Sequence, residues 1–134
     1  MGAWGSDSFE NDDASDWAAD FCDKPDQADL VTCLSAVANI ADDEYLEAPD
    51  SSIGIAAAEV VAALKGAPST SLPTDTRNCF SSLDLEPEPS LVALAAKAIA
   101  RIRTDSELKE LWDESENPDE WYQSVRSLEE RLNR

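Results

Sequence analysis

The sequence predicts an all-α fold, a compact bundle of about five to seven helices around a central apolar helix. Two features of its hydropathy support this class. Apolar residues recur every three or four positions, and no run of alternating β-branched residues predicts a strand. One segment, at about residues 51–65, is apolar on every side, which is typical of a helix enclosed by others. At 134 residues the chain has the length of a single domain, here expected to span residues 1–134.

The first two predicted helices are separated by Pro25. The first begins after Asn11, a good N-cap residue, and ends before this proline. The second runs from about residue 26 to residue 41. Its apolar stripe, at helical spacing, consists of Leu30, Val31, Leu34, Val37, Ala38 and Ala41. The acidic stretch over residues 42–50, which contains Pro49, is predicted to be a loop.

The third helix, at about residues 51–65, is predicted to be the centre of the bundle. Its alanine-rich run from Ala56 to Ala63 leaves almost no polar face, and Gly66 and Pro68 follow it in the order expected after a helix end. A Ser/Thr/Pro loop then leads to a short helix at about residues 75–83. Two prolines make residues 86–89 a stiff connector.

Three more helices are predicted in the C-terminal part of the chain. One begins at Ser90, and a short one covers residues 106–114. The last is capped by Asn117 and carries Pro118 at its first position, where proline is well tolerated. Its apolar seam has 4-3-4 spacing and consists of Trp121, Val125, Leu128 and Leu132.

The charge of the chain limits the functions it can have. There are 29 acidic residues, 10 basic residues and no histidine, which gives a net charge of −19. Without histidine, the chain cannot contain a Ser-His or Cys-His catalytic site or a histidine-ligated zinc site. The negative charge argues against nucleic acid and anionic membranes as direct partners. Residues 1–50 alone hold 14 of the acids and a single base.

A cytoplasmic location is expected from two features of the sequence. No segment is long and apolar enough to span a membrane, and the N-terminus lacks the pattern of a secretory signal. The cysteines, Cys22, Cys33 and Cys79, are odd in number and form no C-x-x-C pair. We therefore expect three reduced thiols that are buried as small apolar residues.

Five aspartates lie on the first predicted helix: Asp12, Asp13, Asp16, Asp20 and Asp23. Like charges three or four positions apart cost roughly 0.2–0.5 kcal/mol per pair. The simplest interpretation is a solvated surface. A face that binds a basic protein is the second interpretation, and a divalent-cation site is the third. The spacing lacks the glycine and the glutamate of a calcium-binding loop, which disfavours the cation.

Glu59 is the carboxylate that the pattern places in the interior, between the alanines and valines of the third helix. A buried carboxylate needs a partner or a raised pKa. The partners considered are Arg101, Arg77, the indole N–H of Trp4 and backbone N–H groups of the N-terminal segment. Glu59 is either a proton-transfer group or a structural tether that holds segment 1–9 on the core, and the tether is favoured. No catalytic, cofactor-binding or metal-binding residue is assigned.

Several segments of the chain resemble a known bacterial family. They are the opening Met1-Gly2-Ala3-Trp4-Gly5, the stretch from Phe9 to Ala14 with Asp16-Trp17, the middle block from Ala57 to Ala63, and Leu111-Trp112 with Trp121 near the end. Together they are similar to the family called domain of unknown function 4259. The resemblance implies a small cytoplasmic bacterial protein, and it implies no catalytic residue.

The sequence favours a non-catalytic interaction domain that binds a basic protein. Its concrete form is an immunity-type inhibitor that covers the basic cleft of a toxin such as a nuclease. The alternative is an enzyme or a binder of a small ligand or divalent cation, with Glu59 or the face from Asp12 to Asp20 as its site. The oligomeric state and the identity of the partner do not follow from the sequence.

Overall fold

In a computed structural model, which describes residues 8–134, the chain folds into seven α-helices, with no strand in that range. This confirms the predicted all-α class. The predicted packing of segment 1–9 falls mostly on residues outside the described range. The helices are α1 (Asp12–Asp23), α2 (Gln27–Ala38), α3 (Ala48–Leu64), α4 (Thr74–Ser82), α5 (Pro89–Thr104), α6 (Glu107–Asp113) and α7 (Pro118–Leu132).

Helix α3 lies at the centre and contacts each of the other six helices of residues 8–134. Every residue from Gly54 to Ala62 is buried. The small side chains of this helix let its neighbours approach closely, and its apolar surface has no side that favours water. Burying this apolar surface is favourable, and α3 therefore forms a common core on which the other helices pack.

Two boundaries differ from the sequence prediction. Helix α3 begins at Ala48, so Pro49 and Asp50 are helical rather than part of a loop. Proline is stable in a first helical turn because the N–H it lacks has no partner there. Helix α2 ends at Ala38 rather than at Ala41. The burial of α2 also differs in one place, because Val31, which was expected in the apolar stripe, is 44% exposed.

Two cationic side chains bind backbone carbonyl groups at the C-terminus of a helix or just after it. The Arg101 guanidinium donates to the carbonyls of Ile40 and Ala41, each at 3.3 Å, and of Glu44 at 2.8 Å. Lys65 contacts the carbonyls of Arg131, Leu132 and Arg134 at the end of α7. Cations are favourable at helix C-termini because the carbonyls there carry partial negative charge.

The prediction of three reduced cysteines is wrong for two of them. Cys22 of α1 and Cys79 of α4 form a disulfide with a Cα–Cα distance of 6.1 Å. The two helices are adjacent in space, a proximity that sequence spacing does not reveal. Cys33 is a free, half-buried cysteine, and burial raises the pKa of its thiol.

Within the described range, no helix combines the length and the apolarity needed to cross a bilayer.

Gly54 is a point of close approach between α3 and two neighbouring helices, α2 and α5. A Cβ atom there would lie 2.9 Å from Val37 Cγ2 and 3.3 Å from Ile102 Cδ1. We expect Gly54→Ala to lower the free energy of unfolding by about 1–3 kcal/mol, because overpacking outweighs the gain of about 1 kcal/mol in helix propensity.

Urea unfolding measures this change. As a control, Gly54→Ala should cost less in a Val37→Ala background, because the closest methyl group is then absent. Equal or higher stability of Gly54→Ala in the wild-type background would contradict the close approach.

Candidate functional site

The acidic face of the protein is the solvent side of α1. Asn11 caps this helix by accepting a hydrogen bond from the N–H of Ala14 at 2.8 Å. Ala14, Ala18 and Phe21 are buried against the core. The opposite side carries the five predicted aspartates, all of them exposed: Asp12, Asp13, Asp16, Asp20 and Asp23. Within residues 8–134, none of the ion pairs includes any of these five carboxylates.

Most basic residues are engaged elsewhere in the fold. Arg101, Arg103, Lys109 and Arg131 form ion pairs, and Lys65 and Arg77 donate to backbone carbonyls. These are six of the 10 basic residues of the chain. Of the basic residues in the described chain, Lys24 lies next to α1, directly after its end, and the five α1 carboxylates face solvent without an ion pair within residues 8–134.

A groove of about 370 Å³ runs between α1 and α2, beside this acidic face. The side chains of Trp17 and Phe21 line this groove. Their rings are stacked, with centroids 5.2 Å apart and planes 16° from parallel. Asp20 and Asp29 supply carboxylates to its wall. The remaining lining residues are Lys24, Thr32 and Cys33.

Glu59 is 2% exposed, and both of its carboxylate oxygens accept hydrogen bonds. Arg131 of α7 donates from Nη1 to Oε1 at 2.6 Å and from Nη2 to Oε2 at 3.2 Å. The Ser8 hydroxyl donates to Oε2 at 2.6 Å. This bidentate pair joins the central helix to the last helix, and Ser8 ties the start of the described chain to both.

The partners considered for Glu59 from the sequence are not the ones found. Arg101 binds the chain after α2, and Arg77 binds the carbonyls of Thr70 and Leu72. Trp4 lies outside the described residues. Arg131, which the sequence analysis missed, is 6% exposed. The sequence does contain a signal that Arg131 faces the core. It lies three positions after Leu128 of the apolar seam, so the two residues share one side of the helix.

The surroundings of Glu59 suit a structural role better than proton transfer. Arg131 also donates to the carbonyl of Ala67 at 3.3 Å and lines a polar cleft of about 460 Å³, whereas Glu59 is not among the residues that line this cleft. The Glu59 carboxylate accepts three hydrogen bonds from Arg131 and Ser8 and is 2% exposed, so a substrate in solution has little access to it. This geometry favours the tether over the proton-transfer interpretation of Glu59.

The structure likewise offers little support for a cation site on α1. Among residues 8–134, no three acidic, cysteine or histidine side chains are grouped so that they could hold one metal ion. Carboxylates that project from one rigid helix diverge, whereas calcium needs six to eight converging oxygens.

Over residues 8–134, fold and site together define a helical protein with a buried carboxylate–guanidinium pair and an acidic first helix whose five aspartates form no ion pair. A family model described as "Domain of unknown function (DUF4259)" matches residues 2–124. The chain therefore belongs to this family, which confirms the resemblance noted in its sequence. No curated protein and no solved structure matches the chain.

The buried pair leads to a prediction about stability. We expect Arg131→Met to lower the free energy of unfolding by about 3–5 kcal/mol, because it leaves the Glu59 carboxylate buried without its cation. Chemical denaturation measures the change. Arg126→Met is the matched control, because Arg126 is exposed on the same helix, and it should change stability by no more than about 0.5 kcal/mol.

The double variant Glu59→Leu/Arg131→Met distinguishes the cost of leaving a buried charge unpaired from the cost of losing side-chain packing. It should recover most of the stability, because no unpaired charge remains in the interior. Equal, small effects of Arg131→Met and Arg126→Met would show that the pair does not hold α7 on α3.

Proposed function

We propose that this domain is a non-catalytic interaction module whose acidic α1 face binds a basic protein. The observation that carries the proposal is the set of five exposed α1 aspartates, none of which belongs to an ion pair within residues 8–134. Like charges on one helix lower its stability. A basic partner would offset this repulsion and would be steered to the surface by the net charge of −19.

The groove between α1 and α2 adds an apolar element to the acidic face. Trp17 lines it and is half-buried, so part of its ring surface remains open to solvent. Cations associate favourably with tryptophan rings, and arginine does so more often than lysine. An arginine of the partner beside Trp17 would share the groove with two carboxylates, Asp20 and Asp29, and with one cation, Lys24.

The concrete form that we propose is an immunity-type inhibitor of a toxin with a basic active-site cleft, such as a nuclease. A surface that binds nucleic acid is rich in basic residues, and an acidic helix is electrostatically complementary to it. This form explains why negative charge is concentrated in residues 1–50, which hold 14 acids and one base.

A bacterial origin and a cytoplasmic location are part of the proposal and rest on the family resemblance. The Cys22–Cys79 disulfide is the observation that opposes this compartment, because disulfides rarely persist in a reducing cytosol. Fractionation of source cells tests the location. Recovery of the protein outside the cytoplasmic fraction would refute it.

Capture of partners on the purified protein tests the function. We expect a basic protein to bind at low salt, and we expect 0.5 M salt to weaken binding about tenfold or more, because exposed charges are screened over about 10 Å at 0.1 M. Asp16→Asn/Asp20→Asn/Asp23→Asn should weaken affinity about tenfold, because each exposed contact contributes about 0.2–1 kcal/mol.

The matched control is Glu114→Gln/Glu116→Gln/Glu130→Gln, which changes the net charge equally at exposed positions on or next to α6 and α7, helices that do not pack against α1. It should leave affinity within about twofold of wild type. Equal weakening by both triple variants would assign binding to net charge rather than to α1. Failure to capture any basic protein would refute the proposal.

The immunity-type form has its own test. The captured protein is assayed for nuclease activity with and without an equimolar amount of this domain. Loss of activity on addition of the domain supports inhibition. A partner without nuclease activity, or an activity that the domain leaves unchanged, refutes the inhibitor while leaving the interaction intact.

A further inference from the structure

We propose that the Cys22–Cys79 disulfide is a site of thiol–disulfide exchange, at which a dithiol reductant releases α4 from α1. This inference is independent of the proposed partner. It rests on three observations: both cysteines line an open cleft, α4 has few other attachments, and an aromatic contact adjoins the same cleft.

The disulfide lines an open cleft rather than the sealed core. The cleft has a volume of about 310 Å³ and lies between α1 and α4. Cys22 and Cys79 both line it, and both are half-buried. The small side chains of Ala18 and Ala19 form part of its wall. The proposal requires that a thiolate reach a sulfur atom through this cleft without prior unfolding, since access is the condition for rapid exchange.

Helix α4 is the least embedded part of the bundle near this cleft. It spans nine residues, Thr74–Ser82, of which Phe80 is the buried one. It packs mainly against α1 and α3. Non-helical segments, residues 65–73 and 83–88, flank it on both sides and give it room to move once the covalent link is broken.

The aromatic contact beside the cleft depends on α4 staying in place. Phe9 and Phe80 meet edge to face, with ring centroids 5.8 Å apart and planes at 64°. Both rings are buried, at 5% and 4% exposure. Displacement of α4 would expose both rings, so the reduced protein would present apolar surface that the oxidised protein hides.

The exchange proceeds in two balanced steps. The thiolate of the dithiol attacks one of the two cysteine sulfurs, forms a mixed disulfide, and expels the other cysteine as a thiolate, which takes a proton from water. The second thiol of the dithiol then loses its proton and attacks the mixed disulfide. It forms the reductant's own disulfide and frees the remaining cysteine thiol. Two electrons pass from the dithiol to the Cys22–Cys79 pair.

Reduction kinetics test whether the disulfide is accessible in the folded protein. Dithiothreitol is the probe, and the rate is measured at urea concentrations below the unfolding transition. We expect a rate that hardly changes with urea, because attack occurs in the native state. A rate that rises steeply with urea would show that reduction requires global unfolding, and it would overturn the proposal.

A variant that fills the cleft provides a second measurement. Ala19→Trp should slow reduction about fivefold or more, because the indole blocks the approach to the sulfurs. Ala36→Trp is the matched control, on the exposed side of α2, and should leave the rate unchanged. Equal rates in the two variants would refute the cleft as the path of attack.

Trypsin cleavage reports the release of α4. Arg77 lies on α4, whereas Lys97 and Arg126 lie on α5 and α7. Reduction should speed cleavage after Arg77 about tenfold or more without changing cleavage after the other two residues. Uniform acceleration at all three residues would show a purely structural disulfide. No acceleration after Arg77 would show that α4 stays bound, and either result overturns the proposal.

The double variant Cys22→Ala/Cys79→Ala must reproduce the reduced state. We expect it to fold and to show the same selective cleavage after Arg77. Failure of this variant to fold, or absence of the disulfide from the air-oxidised wild-type protein by mass spectrometry, would also contradict an exchange site.

Discussion

The enclosure of α3 is the constraint on which the rest of the structure depends. A helix without a polar face is stable in water only when other helices cover it on all sides. Here α3 contacts each of the other six helices, and the residues from Gly54 to Ala62 are all buried. Small residues along α3 allow this coverage, since large side chains would keep several neighbouring helices from approaching one central axis.

The same enclosure determines how charge is distributed. Within residues 8–134 one carboxylate, that of Glu59, is buried, and it is paired with Arg131 and Ser8 because an unpaired buried charge would cost several kcal/mol. Other basic side chains bind helix ends or acids on the C-terminal helices. The carboxylates of α1 are left without a basic partner in the described chain, and the proposed function follows from this imbalance rather than from any reactive group.

Local patterns in the sequence predicted most of the helices and the central position of α3. Spacing of apolar residues, Asn11 as a cap and prolines near helix ends are all short-range signals. Contacts between distant residues could not be predicted in this way. Arg131 lies 72 positions from Glu59, and Cys79 lies 57 positions from Cys22. Their pairing depends on how helices pack. The start of α3 at Ala48 differs from the predicted loop over residues 42–50, because a proline is compatible with the first turn of a helix.

Hydrogen exchange of backbone amides tests the central position of α3 most directly. An enclosed helix that contacts every other helix of the described chain can exchange its amides only when the whole domain unfolds. The account predicts that amides of residues 56–62 are the slowest to exchange and share one free energy, equal to that of global unfolding. Exchange in α3 that is as fast as in α4, or that continues while α5 and α7 remain protected, would contradict it.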